Sequence, residues 1–366
     1  MKVLQVNKLY HPDVGGVETV VRDIAEGLDN RVDMTVLVCK RSGRASRESI
    51  NGIDVLRASS LGTVLSMPLS PDFLLKYRKL SKNADILQLH APFPLADLAV
   101  LLFRRKGKLI VWWHSDIVRQ RFLRRLLSPV IRNTLNRASV ILVADEAIIN
   151  ASDFLHKYKH KCKIIPFGLD FTAYPTPPDN FLQPTDANKV KLLFVGRLVY
   201  YKGIDVLIKA MKTVKNAELF IVGTGDLETS LREASKQAHT DTKIHFMGYL
   251  SREALLAAYR GCDAFIFPSV ANSEAFGICQ LEAMYYAKPV INTNLPTAVP
   301  TVSIHGETGL TVPPGDADAL AKAINTLAEN PALRQAYGEA AAKRVREKYN
   351  KAEMLEAVYK CYEDCI

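Results

Sequence analysis

The stretch KLLFVGRLVYYKG, residues 191–203, decides the fold of this chain. It opens with a short, uniformly apolar run, as expected for a parallel strand that is covered on both faces. A loop with two glycines and two cations follows, and then a helical pattern begins. The same succession of strand, loop and helix starts at Lys2 and repeats along the chain. The sequence therefore predicts an α/β fold with doubly wound parallel sheets.

The predicted strands fall into two series, separated by a proline-rich segment. The first series is Lys2–Val6, Met34–Val38, Val55–Ala58, Ile86–His90, Leu109–Trp113, Val140–Val143 and Lys163–Pro166. The second is Lys191–Val195, Leu219–Val222, Ile244–Phe246, Ala264–Pro268, Pro289–Asn292 and Gly309–Val312. Three prolines within residues 175–178 stop regular structure. We expect two tandem Rossmann-like domains with a cleft between them: residues 1–173 and 189–350, joined by a linker over residues 174–188.

The composition excludes several classes of protein. With 366 residues, 48% hydrophobic and 23% charged, the chain is neither disordered nor fibrous. No apolar run approaches the roughly 20 residues that span a bilayer, and no signal peptide is recognisable, so we expect a cytoplasmic protein. The six cysteines form no CxxC pair, which argues against a zinc site or a disulfide framework.

The positive charge lies in the first half. Residues 1–175 hold 27 Lys and Arg against 16 Asp and Glu, whereas the remainder holds 21 against 22. The cations cluster at Arg104, Arg105, Lys106, Lys108, Arg119, Arg121, Arg124, Arg125, Lys157, Lys159, Lys161 and Lys163. A solvated basic face is one interpretation, and attraction to lipid headgroups, a phosphate-bearing acceptor or nucleic acid is the other. Apolar neighbours such as Leu95–Phe103 favour an anionic membrane surface, and no nucleic-acid-binding signature accompanies the charge.

Two loops of the first half are candidates for ligand binding, because ligands of such sheets lie at the carboxyl ends of strands. Gly15 and Gly16 stand at a strand-to-helix turn, where backbone N–H groups can approach a phosphate, although a plain turn explains two glycines equally well. His114 follows the fifth strand and His90 ends the fourth. A satisfied, half-buried histidine is the alternative for both.

In the second half, Arg197 and Lys202 leave the first strand on one loop. A guanidinium fork and a compact ammonium at this spacing can hold a diphosphate from two sides. Gly196 belongs to the same loop, and Gly223 opens a second permissive turn after the next strand.

The most specific motif is SEAFGICQLEAM, residues 273–284, with glutamates at positions 274 and 282. If a helix starts near Gly277, the N–H groups of Phe276, Gly277 and Ile278 point at an anion, aided by the helix dipole. Asp316-Ala317-Asp318 matches a metal-binding DxD motif, but it precedes a helix, so N-capping accounts for it. We therefore predict no metal site and no cofactor.

Together these motifs resemble the retaining glycosyltransferases of the GT-B fold, glycosyltransferase family 4. The matching residues are Gly15 to Glu18, His114, Gly196-Arg197, Lys202-Gly203, Gly223 to Gly225, Glu274 to Glu282, and Thr308 to Asp316. The resemblance implies a nucleotide-sugar donor held mainly by the second domain, with Arg197 and Lys202 on the diphosphate. It also implies Glu282 on the ribose, with Glu274 and His114 on the transferred sugar. The last helix, residues 351–366, would cross back to the first domain.

Two positions depart from the family pattern. Thr297-Ala298-Val299-Pro300-Thr301 stands where the family often has a Gly-Gly-(Ile/Val)-Pro-Glu motif, so this loop lacks the glutamate. Ala275 replaces the usual glycine or proline.

The resemblance implies a metal-independent hexosyltransferase of cell-envelope polysaccharide synthesis, peripheral at the inner face of the cytoplasmic membrane. GDP-mannose is the favoured donor, a UDP-hexose is the second, and the acceptor is a lipid-linked saccharide. The alternatives are a nucleotide-sugar epimerase of the same fold and, less favoured, a basic nucleic-acid-binding protein.

Overall fold

The computed structural model describes residues 1–13, 15–64, 67–103, 106–116, 121–174 and 181–366, and for residues 121–124 it describes the backbone alone. The chain divides into two compact units. Unit 1 comprises Met1–Phe167 and Ala352–Ile366, and unit 2 comprises Gly168–Lys351. Within the described ranges, no helix combines the length and the apolar character needed to cross a bilayer.

Unit 1 contains, over its described residues, an eight-stranded sheet and a small two-stranded hairpin. Its strands are β1 (Lys2–Val6), β2 (Asp33–Cys39), β3 (Ser46–Ile50), β4 (Ile53–Ala58), β5 (Thr63–Val64), β6 (Met67–Pro68), β7 (Ile86–Ala91), β8 (Lys108–Trp113), β9 (Val140–Val143) and β10 (Cys162–Ile164). Its first five helices are α1 (Gly16–Leu28), α2 (Pro71–Leu80), α3 (Pro94–Leu102), α4 (Arg121–Arg137) and α5 (Glu146–Ala151).

Unit 2 contains, over its described residues, a sheet of six parallel strands. They are β11 (Val190–Val195), β12 (Ala217–Val222), β13 (Ile244–Gly248), β14 (Ala264–Ile266), β15 (Val290–Thr293) and β16 (Gly309–Val312). The helices from here to the chain end are α6 (Ile204–Ala210), α7 (Glu228–Gln237), α8 (Arg252–Gly261), α9 (Ile278–Tyr285), α10 (Val299–Val302), α11 (Ala317–Glu329), α12 (Pro331–Lys348) and α13 (Lys351–Glu363).

The predicted doubly wound α/β fold is confirmed in both units. Strands β7 and β12 are buried at every residue, as expected for parallel strands covered on both faces, and their few polar residues, Gln88, His90 and Glu218, are buried with the rest. The sequence missed β3, which pairs antiparallel with β4 at the sheet edge. Asn51 and Gly52, both with positive φ, form the tight turn between these two strands, so an Asn-Gly pair was the available signal.

Both sheets wind in the same order. The unit 2 order is β13-β12-β11-β14-β15-β16, and the parallel strands of unit 1 follow β4-β2-β1-β7-β8-β9-β10. In each sheet the order in which strands are added therefore reverses beside the first strand. The reversal lies between β11 and β14 in unit 2 and between β1 and β7 in unit 1. Such switch points are where open α/β sheets bind ligands.

The boundary between the units lies at Phe167 and Gly168, before the predicted linker. Gly168 to Tyr174 belong to unit 2 because Phe171 and Tyr174 pack their rings against Tyr285. Of the linker, residues 175–180 lie outside the described residues, and Thr185 is anchored to unit 2 by a backbone hydrogen bond to Glu218.

The last helix, from Ala352 onward, belongs to unit 1. Arg31, which follows α1, lies 2.5 Å from the carboxylate of Glu356 and stacks its guanidinium on the ring of Tyr359. Further along, the Tyr362 hydroxyl donates to the side-chain oxygen of Gln88 on β7. These contacts hold α13 against the sheet and the first helix of unit 1.

Candidate active site

The turns after β11 and β12 lie in close contact at the switch point of unit 2. The amide of Gly196 donates to the carbonyl of Val222 at 3.0 Å. Gly223 has a φ of +129°, and a Cβ there would overlap the carbonyl oxygen of Gly196. Gly223 is therefore required by backbone conformation and by space, before any ligand is considered.

A buried ion pair lies beside these turns. Nζ of Lys202, in the loop after β11, is 2.5 Å from Oε2 of Glu274, in the loop after β14, and both side chains are buried. The Ser269 hydroxyl donates to the same carboxylate oxygen at 3.2 Å. Burial by itself would lower the pKa of Lys202, but the attraction of the Glu274 carboxylate outweighs it and raises that pKa. Lys202 therefore stays protonated, with the Glu274 carboxylate balancing its charge.

Arg197 shares the loop with Lys202 but not its environment. Its side chain is exposed, and its Nη2 donates to the Tyr201 hydroxyl at 3.3 Å. The structure thus places one buried and one exposed cation on the predicted diphosphate loop. Among the described residues, the hydrogen-bond partner of the exposed guanidinium is neutral, so an anion can bind it without displacing a carboxylate.

The loop that carries Glu274 leads into α9 as the sequence predicts. Gly277 has a φ of +83° directly before the helix, and a Cβ there would lie 2.6 Å from Cε1 of Phe267. No side chain among the described residues caps this helix start. The backbone N–H groups of Gly277 and Ile278 therefore belong to an uncapped turn, where the helix dipole favours an anion. Phe276 lies in the same turn.

The two departures from the family pattern meet beside this loop. The amide of Ala298 donates to the carbonyl of Ala275 at 2.9 Å. Behind them, the side-chain amide nitrogen of Asn292 lies within 3.1 Å of the side-chain oxygen of Gln280 and of the carbonyls of Val299 and Ser303. The segment that lacks the glutamate therefore supports the loop that carries Glu274.

Glu282, on α9, is bound by protein side chains. Its Oε1 accepts from Arg252 at 2.7 Å and from Tyr174 at 3.1 Å, and its Oε2 accepts from Tyr259 at 2.8 Å. A carboxylate offers about four lone-pair positions, so one remains for a further donor. Its predicted role toward a ribose stays a prediction, and it requires sharing the carboxylate with these three groups.

His114 of unit 1 lies at the end of β8, buried beside two aromatic rings that also contact each other. The rings of Trp112 and Phe167 lie 6.0 Å and 5.8 Å from its own, at 5° and 22°. Its Nε2 is 2.9 Å from Nδ1 of His90, the other histidine singled out in the sequence. Burial lowers the pKa of His114 to about 3, so the imidazole is neutral at physiological pH.

Gly15 and Gly16 begin α1 beside the switch point of unit 1. Gly16 is exposed, its φ is not in the left-handed region, and a Cβ there would meet no atom of the described residues within 4 Å. No neighbour in the described part of unit 1 therefore requires a glycine at this position, in contrast to Gly223.

The basic surface of unit 1 is partly occupied by internal contacts. Lys161 donates to the carbonyls of Asn136 and Ala138 and so caps the end of α4, while Lys159 pairs with Glu146 at 3.3 Å. Lys106 and Arg125 are exposed. Arg104, Arg105 and Arg119, with the side chains of Arg121 and Arg124, lie outside the described residues.

The DxD-like motif is a helix cap. The Asp316 carboxylate accepts from the amide of Ala319 at 2.9 Å, at the N-terminus of α11. This is the N-capping geometry expected from the sequence.

Comparisons with known proteins divide the chain between residues 172 and 179, a few residues after the boundary of the two units. Residues 14–172 match the family model described as Glycosyltransferase Family 4, and residues 179–344 match the model described as Glycosyl transferases group 1. Among solved structures, HepE of Anabaena in complex with UDP-glucose superposes with a TM-score of 0.81, over the whole of both chains, at 19% identity. Sucrose-phosphate synthase of Thermosynechococcus elongatus does so with the same TM-score, over 99% of this chain and 98% of its own, at 19% identity. These likenesses show the fold.

Two relatives are similar over nearly their full length. D-rhamnosyltransferase WbpZ of Pseudomonas aeruginosa is 34% identical over 95% of this chain and 92% of its own. O-antigen chain mannosyltransferase C of Escherichia coli is 31% identical over 99% and 98%. The chain is a GT-B glycosyltransferase of the family 4 type. The resemblance inferred from its motifs is confirmed.

Sequence reasoning about this glycosyltransferase missed the residues that hold the predicted site residues in place. Arg252 and Tyr259, which bind Glu282, lie on α8, far from the motif in sequence. Asn292 lies inside β15 and belongs to no motif. Only its polar character inside an apolar strand was a signal, because a buried amide needs hydrogen-bond partners.

Proposed function

We propose that this glycosyltransferase is a retaining, metal-independent hexosyltransferase of cell-envelope polysaccharide synthesis. The donor is GDP-mannose in first place and a UDP-hexose in second, and the acceptor is a lipid-linked saccharide at the cytoplasmic membrane face. The observation that carries the proposal is the buried Lys202–Glu274 pair beside the uncapped start of α9. It combines a cation for a diphosphate with a carboxylate for sugar hydroxyls.

The proposed chemistry follows from where charge develops. In the transition state a diphosphate carries increasing negative charge while the sugar becomes positive. Lys202 and Arg197 would neutralise the leaving phosphate together with N–H groups of Gly277, Ile278 and, from unit 1, Gly16. One such donor is worth about 3 kcal/mol of transition-state stabilisation. Cations of the chain itself then serve the leaving group, and no metal step is needed.

Retention requires that the new bond form on the face from which the phosphate leaves. The bond between the anomeric carbon and the phosphate oxygen breaks, and the acceptor hydroxyl oxygen bonds to that carbon. The hydroxyl proton passes to the leaving phosphate oxygen. Glu274 and His114 would hold hydroxyls of the sugar, and Glu282 would accept from the ribose through its remaining lone pair.

The names of two relatives support the choice of mannose and of a polysaccharide or glycolipid pathway, whereas WbpZ is named a D-rhamnosyltransferase. The Escherichia coli relative is an O-antigen chain mannosyltransferase, and another, 28% identical over 97% of this chain and 94% of its own, is a phosphatidyl-myo-inositol mannosyltransferase of Mycobacterium leprae. The structural neighbour HepE binds UDP-glucose, which keeps a UDP-hexose as the second candidate.

A membrane-facing surface is supported by exposed leucines on two packed helices of unit 1. Leu102 ends α3 with 56% of its surface exposed, and Leu126 lies on α4 with 66% exposed. Arg125 and Lys106 supply exposed cations next to them in sequence. Apolar side chains flanked by cations suit an anionic lipid surface.

The donor is tested first by thermal shift with GDP, UDP, dTDP and their common sugars. A nucleotide at 100 times its Kd adds about 2.7 kcal/mol of stability. We expect GDP and GDP-mannose to stabilise the wild type but not Arg197→Ala. The matched control is Arg232→Ala, an exposed arginine of unit 2 that pairs with Glu228 at 2.9 Å. Stabilisation by UDP alone would move the donor to a UDP-hexose, and equal stabilisation of Arg197→Ala would refute the clamp.

The reaction is tested with the responding nucleotide-sugar and a lipid-linked saccharide, in buffer with EDTA. We expect a glycosidic product whose anomeric configuration, read by NMR, equals that of the donor. Inversion, or loss of turnover with EDTA, would contradict the corresponding part of the proposal. Conversion of the nucleotide-sugar to its epimer without acceptor would identify an epimerase instead.

The membrane surface is tested with vesicles. We expect the protein to sediment with vesicles that contain anionic lipid, and Leu126→Ser to weaken that binding, whereas Ile366→Ser, 72% exposed at the chain end, leaves it unchanged. Equal binding to neutral vesicles would overturn the electrostatic part.

A further inference from the structure

A row of buried polar side chains crosses the interior of unit 1. Gln5 on β1, Gln88 and His90 on β7, and His114 after β8 are all buried. The Gln5 oxygen lies 3.0 Å from Nε2 of His90, and Nδ1 of His90 lies 2.9 Å from Nε2 of His114. Buried polar groups normally have hydrogen-bond partners, and in this row the side-chain nitrogen of Gln5 has none among the described residues.

The hydrogen bonds of this row couple the protons of the two imidazoles. A neutral imidazole carries one proton, and the His90–His114 hydrogen bond holds one proton between its two nitrogens. If Nε2 of His90 donates to Gln5, its Nδ1 must accept from Nε2 of His114. The Nδ1 atom of His114 then carries a lone pair. The tautomer of His90 therefore decides the tautomer of His114.

Two amides compete for Nε2 of His90, and they demand opposite tautomers. The Gln5 oxygen, at 3.0 Å, requires a proton there, whereas the Gln88 nitrogen, at 3.3 Å, requires a lone pair. The oxygen of Gln88 accepts from the Tyr362 hydroxyl of the last helix, which orients its nitrogen toward His90, so the choice between the two amides rests on distance. The shorter contact, to Gln5, favours the proton on Nε2 of His90.

We propose that His90 is a positioning residue for His114: the Gln5–His90–His114 chain keeps the proton of His114 on Nε2 and leaves the lone pair of Nδ1 to accept a hydrogen bond from a hydroxyl of the transferred sugar. The hydrogen bond to the sugar rests on the proposed function, whereas the tautomer of His114 does not. The stacked rings of Trp112 and Phe167 fix the plane in which that lone pair points. Among the described residues, Nδ1 of His114 has no hydrogen-bond partner of its own.

Both imidazoles must stay neutral for this arrangement. Burial lowers the pKa of His90 well below its ordinary value, and the neighbouring His114 lowers it further. No carboxylate hydrogen-bonds to either ring among the described residues, and the groups that face them are Gln5, Gln88 and the two aromatic rings.

The test reads the tautomer directly in the full-length protein. Long-range ¹H–¹⁵N correlation spectra distinguish protonated from unprotonated ring nitrogens, and His114→Asn assigns the His114 signals among the eight histidines. We expect His114 in the wild type to be protonated on Nε2. A proton on Nδ1 would overturn the proposal whatever the enzyme transfers.

Two matched variants identify the amide that sets the tautomer. Gln5→Met and Gln88→Met each replace a fully buried glutamine by a side chain of similar shape. We expect Gln5→Met to shift the His114 proton toward Nδ1 and Gln88→Met to leave it on Nε2. The reverse pattern would show that Gln88 sets the tautomer of His114, and it would refute the hydrogen-bond chain through Gln5.

The role toward the sugar is read from kinetics. We expect His90→Leu to lower kcat about tenfold, the value of one hydrogen bond, while the donor KM changes little. His90→Asn, whose oxygen can stand in for Nδ1, should recover most of the rate. If the tautomer responds but kcat does not, His90 positions His114 without catalytic consequence and the sugar part fails. If no transfer is found with any donor, the proposed function fails while the tautomer result stands.

Discussion

The two units place opposite kinds of polar pair at the carboxyl ends of similarly wound sheets. In unit 2 the pair is ionic: Lys202 and Glu274, 2.5 Å apart and buried, with the lysine pKa raised by its partner. In unit 1 the pair is neutral: His90 and His114, 2.9 Å apart and buried, with the pKa of both lowered by burial. The same topology thus carries two opposite charges in one unit and two neutral rings in the other.

This difference matches what glycosyl transfer requires of each side. A fixed cation suits a diphosphate, which is anionic before and after the reaction. A neutral imidazole can accept a hydrogen bond from a sugar without adding positive charge near a carbon that becomes positive. We therefore expect the two pairs to respond differently to substitution and to pH.

The largest effect is expected from Lys202→Met. It leaves the Glu274 carboxylate buried without its partner, which costs about 3 kcal/mol of stability. If Lys202 serves the leaving group as proposed, its loss also lowers kcat/KM roughly a hundredfold or more. Urea unfolding and steady-state kinetics measure the two losses.

Two variants separate charge from packing. Adding Glu274→Gln to Lys202→Met should restore most of the stability but none of the activity. Lys209→Met, an exposed lysine on α6 that lies 4.0 Å from Asp205, should change neither. Wild-type activity in Lys202→Met would show that the ionic pair has a structural role only, and it would refute the proposed role of Lys202 in catalysis.

The second prediction concerns acid stability, to which the neutral pair is sensitive. The pKa of His114 falls from 6.5 to about 3 on folding. Above about pH 6.5 neither state binds a proton there, and stability is complete; below it the unfolded chain takes up protons that the folded chain refuses. Between these values stability falls by about 1.4 kcal/mol per pH unit for each such histidine.

The control for acid stability is a histidine of the same unit. His114→Gln should reduce the slope of unfolding free energy against pH by about one proton, whereas His156→Gln, at an exposed position, should leave the slope unchanged. An unchanged slope in His114→Gln would show that burial does not hold this imidazole neutral.

A smaller effect is expected from substitution of Asp316. This residue follows β16, the last strand at one side of the unit 2 sheet, and caps α11. Asp316→Ala removes an N-cap and should cost about 1 kcal/mol, while Asp316→Asn, which can still cap, should cost less. Neither should change turnover or its response to Mg²⁺. A loss of Mg²⁺-dependent activity would make the DxD motif functional.

How much of this was readable from sequence differs between the pairs. The sequence predicted Lys202 and Glu274 as site residues but did not predict that they pair. They are far apart in sequence and meet because β11 and β14 are neighbours in the sheet. The motif predicted the helix start at Gly277 because a positive φ and an uncapped turn are local. The Gln5–His90–His114 chain depends on three strands in register, which no local pattern reveals.

The smallest effect is expected from Gly16→Ala in unit 1, and Gly223→Ala in unit 2 is its contrast. Gly16→Ala meets no neighbour and replaces glycine in the first turn of α1, so it should raise stability by up to about 1 kcal/mol. Gly223→Ala should destabilise the protein, because its Cβ would overlap the carbonyl of Gly196. If the Gly16 N–H faces the diphosphate, the added Cβ of Gly16→Ala should hinder its approach. The more stable variant should then bind the donor more weakly, as measured by calorimetry. Unchanged affinity would show that Gly16 does not contribute to binding of the phosphates.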